Sequence, residues 1–349
     1  MQALQLRIDT ARAEELAGLV VAQDLPKGGG EKGYAFRKGQ VLTPADLAAL
    51  RAVDRAVVHV VRPEPGDLSE DEAGLRLARA VAGPGLRLSG PAQSRYNLVA
   101  ERRGLLRIDV ATLDAINAID GLAVFTLFDR QPVAEEEVVA GAKIAPLVIA
   151  AAAIEQAERL AAAGPVVQVL PFRPVRVATL YREKLAPAAR GRFAEAVQAK
   201  AAWFGAEATE IVAVSDEPAE IAATLRRFVA AGAGLIFAAG GSSIDPLDAT
   251  ILALGEAGAR LVRRGVPAHP GSMFWLAYLD GVPVLSLASC SLFSQATVVD
   301  LLLPRVLAGE HLTAADLAAI GHGGLMEHGM EWRFPPYARA QRGAAGDRG

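Results

Sequence analysis

The chain has 349 residues, 52% hydrophobic, 21% charged and 5% aromatic, with a formal net charge of −3. At about 100–200 residues per domain, that length predicts two domains, each able to bury its own core without disulfides or metals. Interspersed charges give no basic stripe for nucleic acid, and the few aromatics leave few stacking platforms for single strands, so a small-molecule ligand is expected instead.

The opening, MQALQLRIDTARAEELAG, lacks the basic and apolar regions of a signal peptide. Residues 6–60 mix short strand-like runs with one legible helix start: in VLTPADLAALRAV, Thr43 is the N-cap, Pro44 sits at N1 and Asp46 at N3. RPEPGDLSEDEAG (62–74) is a solvated connection into a second N-terminal lobe, where GLLRIDVATLDAINAIDGLAVFTL (104–127) alternates short strands with short helices. The longest apolar stretch, IAPLVIAAAAI (144–154), runs into Glu155 and is too short to span a membrane. Prolines gather in AGPVVQVLPFRPVR (163–176), which places a boundary there; residues 1–172 form a mixed α+β region with a break near 62–74.

The rhythm then changes. VRVATL (175–180), GLIFAA (234–239) and VPVLSLA (282–288) are short apolar runs with helix-length segments between them. That pattern predicts buried parallel strands with crossover helices, one α/β sheet over residues 173–310. The residues just after GLIFAA then emerge at the carboxyl edge of the sheet, where open α/β sheets bind their ligands. Gly240 and Gly241 let the backbone approach a ligand closely, Ser242 and Ser243 add hydroxyl donors, and Asp245-Pro246 is an N-cap and N1 pair for a helix LDATILALGEAG. A phosphate suits such a turn, its charge favoured by the helix N-terminus. Asp248 has two readings: an acid at N3 that only favours the helix dipole, or one that binds an amino-bearing ring or a divalent cation bridging to the phosphate.

Two further segments should reach the same edge. VPAHPGSMFW (266–275) places Pro270-Gly271-Ser272 there, and LSLASCSLFS (285–294) brings Ser289 and Cys290. One cysteine excludes an intramolecular disulfide and fits a reducing compartment, the cytoplasm. A lone cysteine is usually an inert small hydrophobe and a histidine before Pro-Gly a loop residue, so Cys290 and His269 are not read as a nucleophilic pair. No nucleotide or hydrolase motif supports kinase, dehydrogenase or esterase chemistry. After another helix start, HLTAADLAAI (311–320), the end of the chain (311–349) is expected to be a helix and a flexible tail, disordered from about 338.

AGGSSIDPLDAT resembles the TGG-(S/T)…D-x-T turn of the molybdopterin-binding domain shared by the MogA and MoeA families of molybdenum-cofactor biosynthesis, with Gly240, Gly241, Ser242, Asp248 and Thr250 on the matching positions. Upstream, FAEAVQAKAAWFGAEATEIVAVSDEPAEIAATLRRFVAAGAGLIF (193–237) is similar to that domain's helix, strand and helix, and downstream HPGSMFWLAYLDGVPVLSLASC resembles its Pro-Gly segment and following strand. RKGQVLTPADLAAL and YNLVAERRGLLRIDVATLDAINAIDGLAVFTL resemble the N-terminal half of MoeA-like proteins. The resemblance implies a three-layer MogA-like domain with a mostly parallel sheet that cradles the phosphate and pterin of molybdopterin, bare or adenylylated, with Mg2+ as a candidate helper. It also implies a homo-oligomer, and as partner a molybdoenzyme or another cofactor-biosynthesis protein.

The sequence departs from the MoeA pattern at two loops. The Gly-Asp-Glu-Leu turn that carries an acid of the molybdate-insertion site is replaced by VATLYREKL, which offers only Glu183 out of register, and the Leu-Pro-Gly-Asn-Pro loop is replaced by LASCS (287–291). The tail GHGGLMEHG lacks the cysteines that would complete a metal site around His322, Glu327 and His328, and none is expected. Three readings stand: cofactor binding with transferase activity, for which Asp248 and Glu183 are the candidate catalytic acids; a non-catalytic carrier, chaperone or sensor for a molybdoenzyme; and a CinA-like nucleotide pyrophosphatase.

Overall fold

The computed structural model describes the chain except residues 93, 183, 242–244, 288–295, 327–329 and 338–349. The described chain divides into two compact units, residues 1–101, 107–129 and 136–168 in one and 102–106, 130–135 and 169–349 in the other. The expected disordered end from 338 lies outside the described residues.

The first unit is mixed α and β. Gln2–Arg7, Val57–Arg62 and Val20–Val21 form an antiparallel sheet around a core that includes Leu16, Phe36, Leu42 and Leu50. Here the expected helix start holds: the Thr43 N–H and hydroxyl both donate to the Asp46 carboxylate at 2.7 Å, and a 3-10 turn Pro44–Asp46 leads into the helix Leu47–Arg51. A second, four-stranded antiparallel sheet runs in the order Leu122–Thr126, Val138–Ile144, Arg95–Ala100, Leu86–Ala92. Helix Glu70–Val81 packs against this sheet and against helix Ala151–Ala161. Its N-terminus is specified locally, because the Ser69 hydroxyl accepts from the Glu72 N–H at 3.3 Å and three acids occupy the first turn. The apolar stretch 144–154 becomes the end of one strand, a second short strand and a helix start, and among the described residues no helix is long and apolar enough to cross a membrane.

The second unit is the α/β sheet. Its elements in chain order are β1 (Arg176–Tyr181), α1 (Pro187–Trp203), β2 (Glu207–Ala213), α2 (Pro218–Ala230), β3 (Leu235–Ala239), α3 (Ala249–Ala257), β4 (Arg260–Arg264), β5 (Trp275–Leu279), β6 (Val282–Leu287), α4 (Val298–Leu307) and α5 (Ala314–Ala319). The sheet order is β2-β1-β3-β6-β5-β4; β2, β1, β3 and β6 are parallel, and the tight turn at Asp280-Gly281 makes β5 antiparallel to β6. The alternation of strand side chains sorts the core into two faces. Leu235, Phe237 and Ala239 face α1 and α4 with Val177 and Leu285, whereas Ile236 and Ala238 face α2 and α3 with Leu180 and Val284. Each large apolar side chain so buried contributes about 1.5–3 kcal/mol. The result is three layers, helix, sheet, helix, with β3 at the centre of the parallel strands. Edge strand β4 carries Arg260, Arg263 and Arg264, charges that disfavour edge-to-edge pairing.

Candidate functional site

The strand register decides what meets at the carboxyl edge. Tyr181 pairs with Ala213 and Ala239, and Ala239 pairs with Leu287, so β1, β2, β3 and β6 end together. The segments beginning at Arg182, Val214 and Gly240 therefore start side by side, next to the end of β6 at Leu287. Because β5 and β4 alternate in direction, Trp275 and Arg264 also lie at this end, and the loop 265–274 between them opens here.

Gly240 and Gly241 follow β3 at φ +86° and +88°, the left-handed region in which a side chain is strained. Gly241 is needed for a second reason: a Cβ there would run into Arg182 Nη1 and come within 2.8 Å of Asp248 Oδ2. Thus the turn lies directly on an ion pair. Both Asp248 carboxylate oxygens accept from Arg182 Nη1 at 2.8 Å, and the Thr250 hydroxyl accepts from the same nitrogen at 2.9 Å. Arg182 Nε reaches the Asp216 carboxylate, at the start of the loop after β2, at 2.8 Å, and Nη2 reaches it at 2.6 Å. The Arg182 side chain is 10% exposed and that of Asp248 8%, whereas Asp216 is 78% exposed. Burial works against the Arg182 charge, but the hydrogen bonds it donates to Asp248 and Asp216 outweigh it and raise its pKa.

Asp248 also corrects one expectation. The helix does not start at Asp245-Pro246; that pair forms a turn, with the Asp245 side chain accepting from the Leu247 N–H at 2.9 Å and its carbonyl from the Asp248 N–H at 3.2 Å. Helix α3 begins at Ala249, and Asp248 is its N-cap, accepting from the Thr250 N–H at 2.9 Å. An Asx turn competes with helix for the same Asp-Pro sequence, and here the ion pair three residues later fixes the cap. Arg264 Nη2 donates to the Asp245 carbonyl at 2.6 Å, tying the end of β4 to this turn.

The Pro-Gly loop has its own anchors. The His269–Pro270 peptide is cis, the Pro270 carbonyl accepts from the Val298 N–H at the start of α4 (3.1 Å), and Gly271, at φ +106°, lies against Val298. The Ser272 carbonyl accepts from the Val266 N–H at 2.9 Å. His269 is exposed, and its backbone bonds to Gly324 and Met326, both at 2.8 Å, so the glycine-rich tail runs beside the loop. Further on, Tyr337 OH donates to Asp300 Oδ1 at 2.9 Å; Asp300 is buried, pairs with Lys200 and caps α4 through the Thr297 N–H at 2.9 Å.

Of the residues singled out from the sequence, the structure brings Gly240, Gly241, Asp248 and Thr250 together and places Pro270, Gly271 and Ser272 at the same edge. Ser242, Ser243, Glu183, Ser289 and Cys290 lie outside the described residues, as do Glu327 and His328; His322 is exposed. Among the described residues no group of three His, Cys, Asp or Glu side chains is arranged to hold a metal ion. Arg182, adjacent to Glu183 in VATLYREKL, was missed. Its signal was a cation directly after a buried strand, next in line to face whatever acid the neighbouring turn supplies. Apart from this edge, a pocket of about 170 Å3 between β1, β2 and α2, lined by Arg176, Thr209, Glu210 and Phe228 among others, lies toward the amino end of β1.

Residues 189–308, roughly a third of the chain, match the family model described as "Probable molybdopterin binding domain", and residues 10–62 match a domain of unknown function. Nothing among curated proteins matches the chain. Three solved structures are similar at a remote level. One is the molybdopterin biosynthesis MoeA protein from Pyrococcus horikosii (12% identity, 88% of this chain and 75% of that one, TM-score 0.29). Another is the protein CinA from Thermoplasma acidophilum (13%, 34% and 90%, TM-score 0.28). The third is a molybdopterin biosynthesis protein from Mycobacterium abscessus (18%, 34% and 84%, TM-score 0.22).

Proposed function

With residues 189–308 assigned to the molybdopterin-binding domain family, we propose that the carboxyl edge of this unit binds molybdopterin, in the biosynthesis or insertion of the molybdenum cofactor. The observation that carries the reading is the pair of left-handed glycines at the end of the central strand, laid on a buried Asp248–Arg182 ion pair. Gly240 and Gly241 keep side chains out of the way of the terminal phosphate. Ser242 and Ser243, with the neighbouring N–H groups, supply its donors. Asp248 and Thr250, at the base of the turn, fix the wall against which the pterin lies; Pro270, Gly271 and Ser272 complete the rim, and Ser289 is a further hydroxyl offered to the ligand.

Binding is favoured over turnover. A general base or nucleophile needs a carboxylate able to take a proton or attack, and Asp248 is committed to Arg182 and to capping α3. The carrier reading follows: bare or adenylylated molybdopterin is held and passed to a molybdoenzyme or a later biosynthetic protein. The setting is the cytoplasm and the state a homo-oligomer, which light scattering of the purified protein checks. The test of the ligand is oxidative release of a fluorescent pterin from protein purified from a cofactor-producing host, stoichiometric for the wild type and lost in Asp248→Ala. Protein that carries no pterin and takes up none in vitro refutes the reading. Turnover assays then separate the roles: molybdate insertion or adenylyl hydrolysis makes it an enzyme, hydrolysis of a dinucleotide pyrophosphate makes it CinA-like, and binding alone leaves a carrier.

A further inference from the structure

An acid buried beside a phosphate turn repels the ligand unless a cation sits with it. A divalent ion is one solution, bound by carboxylate and hydroxyl oxygens. In this chain the oxygens that would bind such an ion already converge on one point: Asp248 Oδ1, Asp248 Oδ2 and Thr250 Oγ1 lie 2.8, 2.8 and 2.9 Å from Arg182 Nη1. That nitrogen occupies the centre of an oxygen-lined cation pocket. The rest of the guanidinium is held from outside by Asp216, through Nε at 2.8 Å and Nη2 at 2.6 Å, so the head cannot swing out without breaking bonds on both edges. Gly241 seals the pocket from above, since no side chain fits between the turn and the pair.

We infer that Arg182 is a built-in counter-ion standing where a divalent cation would otherwise bind, so that this site holds its phosphate-bearing ligand without Mg2+. Arg182 is a positioning residue: it neutralises Asp248, holds the loops after β1, β2 and β3 together, and fixes the floor of the glycine turn. Guanidinium suits this place better than ammonium, because its planar fork serves two carboxylates on separate loops at once and it keeps its proton at any ordinary pH. The inference on ligand retention rests on the molybdopterin reading above; the inference on the cation pocket does not.

Two sets of measurements on the full chain test it. In the first, Mn2+ is titrated by electron paramagnetic resonance without any organic ligand. Wild type is expected to take up no Mn2+ at this site, Arg182→Ala to gain about one ion per chain, and Arg182→Ala/Asp248→Asn to lose it. A wild type that binds Mn2+ in a manner abolished by Asp248→Asn, or a cooperatively melting Arg182→Ala that binds none, overturns the inference. In the second, molybdopterin affinity is measured in EDTA and in Mg2+. Wild type should be indifferent, whereas Arg182→Ala should bind roughly 10- to 100-fold more weakly in EDTA and recover most of that loss in Mg2+. Loss of molybdopterin from the wild type on adding EDTA overturns it, and this arm decides the matter even if Arg182→Ala does not fold. A wild type that never binds molybdopterin removes the proposed function but leaves the Mn2+ result standing on its own.

Discussion

Asp248→Ala has a stability cost that can be worked out from the contacts it removes. The substitution deletes the N-cap of α3, in which Asp248 accepts from the Thr250 N–H, a loss of about 1 kcal/mol. It also strips the inner edge of a guanidinium whose side chain is only 10% exposed. Breaking a buried pair costs about 3–5 kcal/mol, but here the exposed Asp216 still holds the outer edge, which brings the expected cost nearer about 2 kcal/mol. The total is about 3 kcal/mol, or about 6–12 °C in melting temperature for a unit of this size. Urea unfolding followed by tryptophan fluorescence reads the right part of the molecule, because Trp203, Trp275 and Trp332 all lie in the second unit. Arg182→Met should be similarly harmful, since it leaves a buried acid without its cation. The double variant Arg182→Met/Asp248→Ala should fall short of the sum by about 2 kcal/mol, because neither charge is then stranded. An Asp248→Ala loss below about 1 kcal/mol, or strict additivity in the cycle, refutes the reasoning.

Three other outcomes are expected. Gly241→Ala combines a left-handed φ of +88° with a methyl pressed onto the ion pair, so molybdopterin affinity should drop more than about tenfold. Gly258→Ala, also left-handed at +77° but with nothing near its Cβ, should change stability alone, and isothermal titration of both variants checks the contrast. At the corner between α4 and α5, burial tends to raise the Asp316 pKa, but hydrogen bonds from the Thr313 hydroxyl and N–H and from Arg305 outweigh it and hold the carboxyl well below its usual range. That contribution is complete above the unfolded pKa near 4 and disappears as pH falls toward the depressed folded value. The penalty for Asp316→Asn should therefore be full at pH 7, about 1–2 kcal/mol, and shrink in denaturation curves taken below about pH 4; a pH-independent penalty contradicts it. Burial and the Asp300 charge push the Tyr337 phenol well above its usual range, so an alkaline absorbance titration should show a late tyrosine step that Tyr337→Phe abolishes, at a stability cost of about 1 kcal/mol.

Much of this protein is local and was legible as such. The apolar runs VRVATL, GLIFAA and VPVLSLA became the strands Arg176–Tyr181, Leu235–Ala239 and Val282–Leu287, because four to eight buried apolar residues between turn signals have few other ways to fold. Thr43 capped its helix start as read, and the start expected in HLTAADLAAI is capped in the same way by Thr313, each paired with an acid three residues on, since such contacts depend on neighbours alone. The glycine turn was visible because Gly240 and Gly241 stand at left-handed φ, which strongly favours a residue without Cβ.

Tertiary structure decided the rest. Arg182 meets Asp216 and Asp248 across 34 and 66 residues, and only the strand order, β1 between β2 and β3, brings those loops together. The same contact moved the helix start from Asp245 to Asp248, overriding a local Asp-Pro signal with a buried charge that had to be satisfied. The tail's pairing with His269, through Gly324 and Met326, left no pattern in the sequence, because a single backbone bridge carries no side-chain periodicity. Residue types and short spacings fix the strands, turns and caps; which charges neutralise one another is fixed only when the sheet sets its register, because an ion pair depends on distance in space and not on separation along the chain.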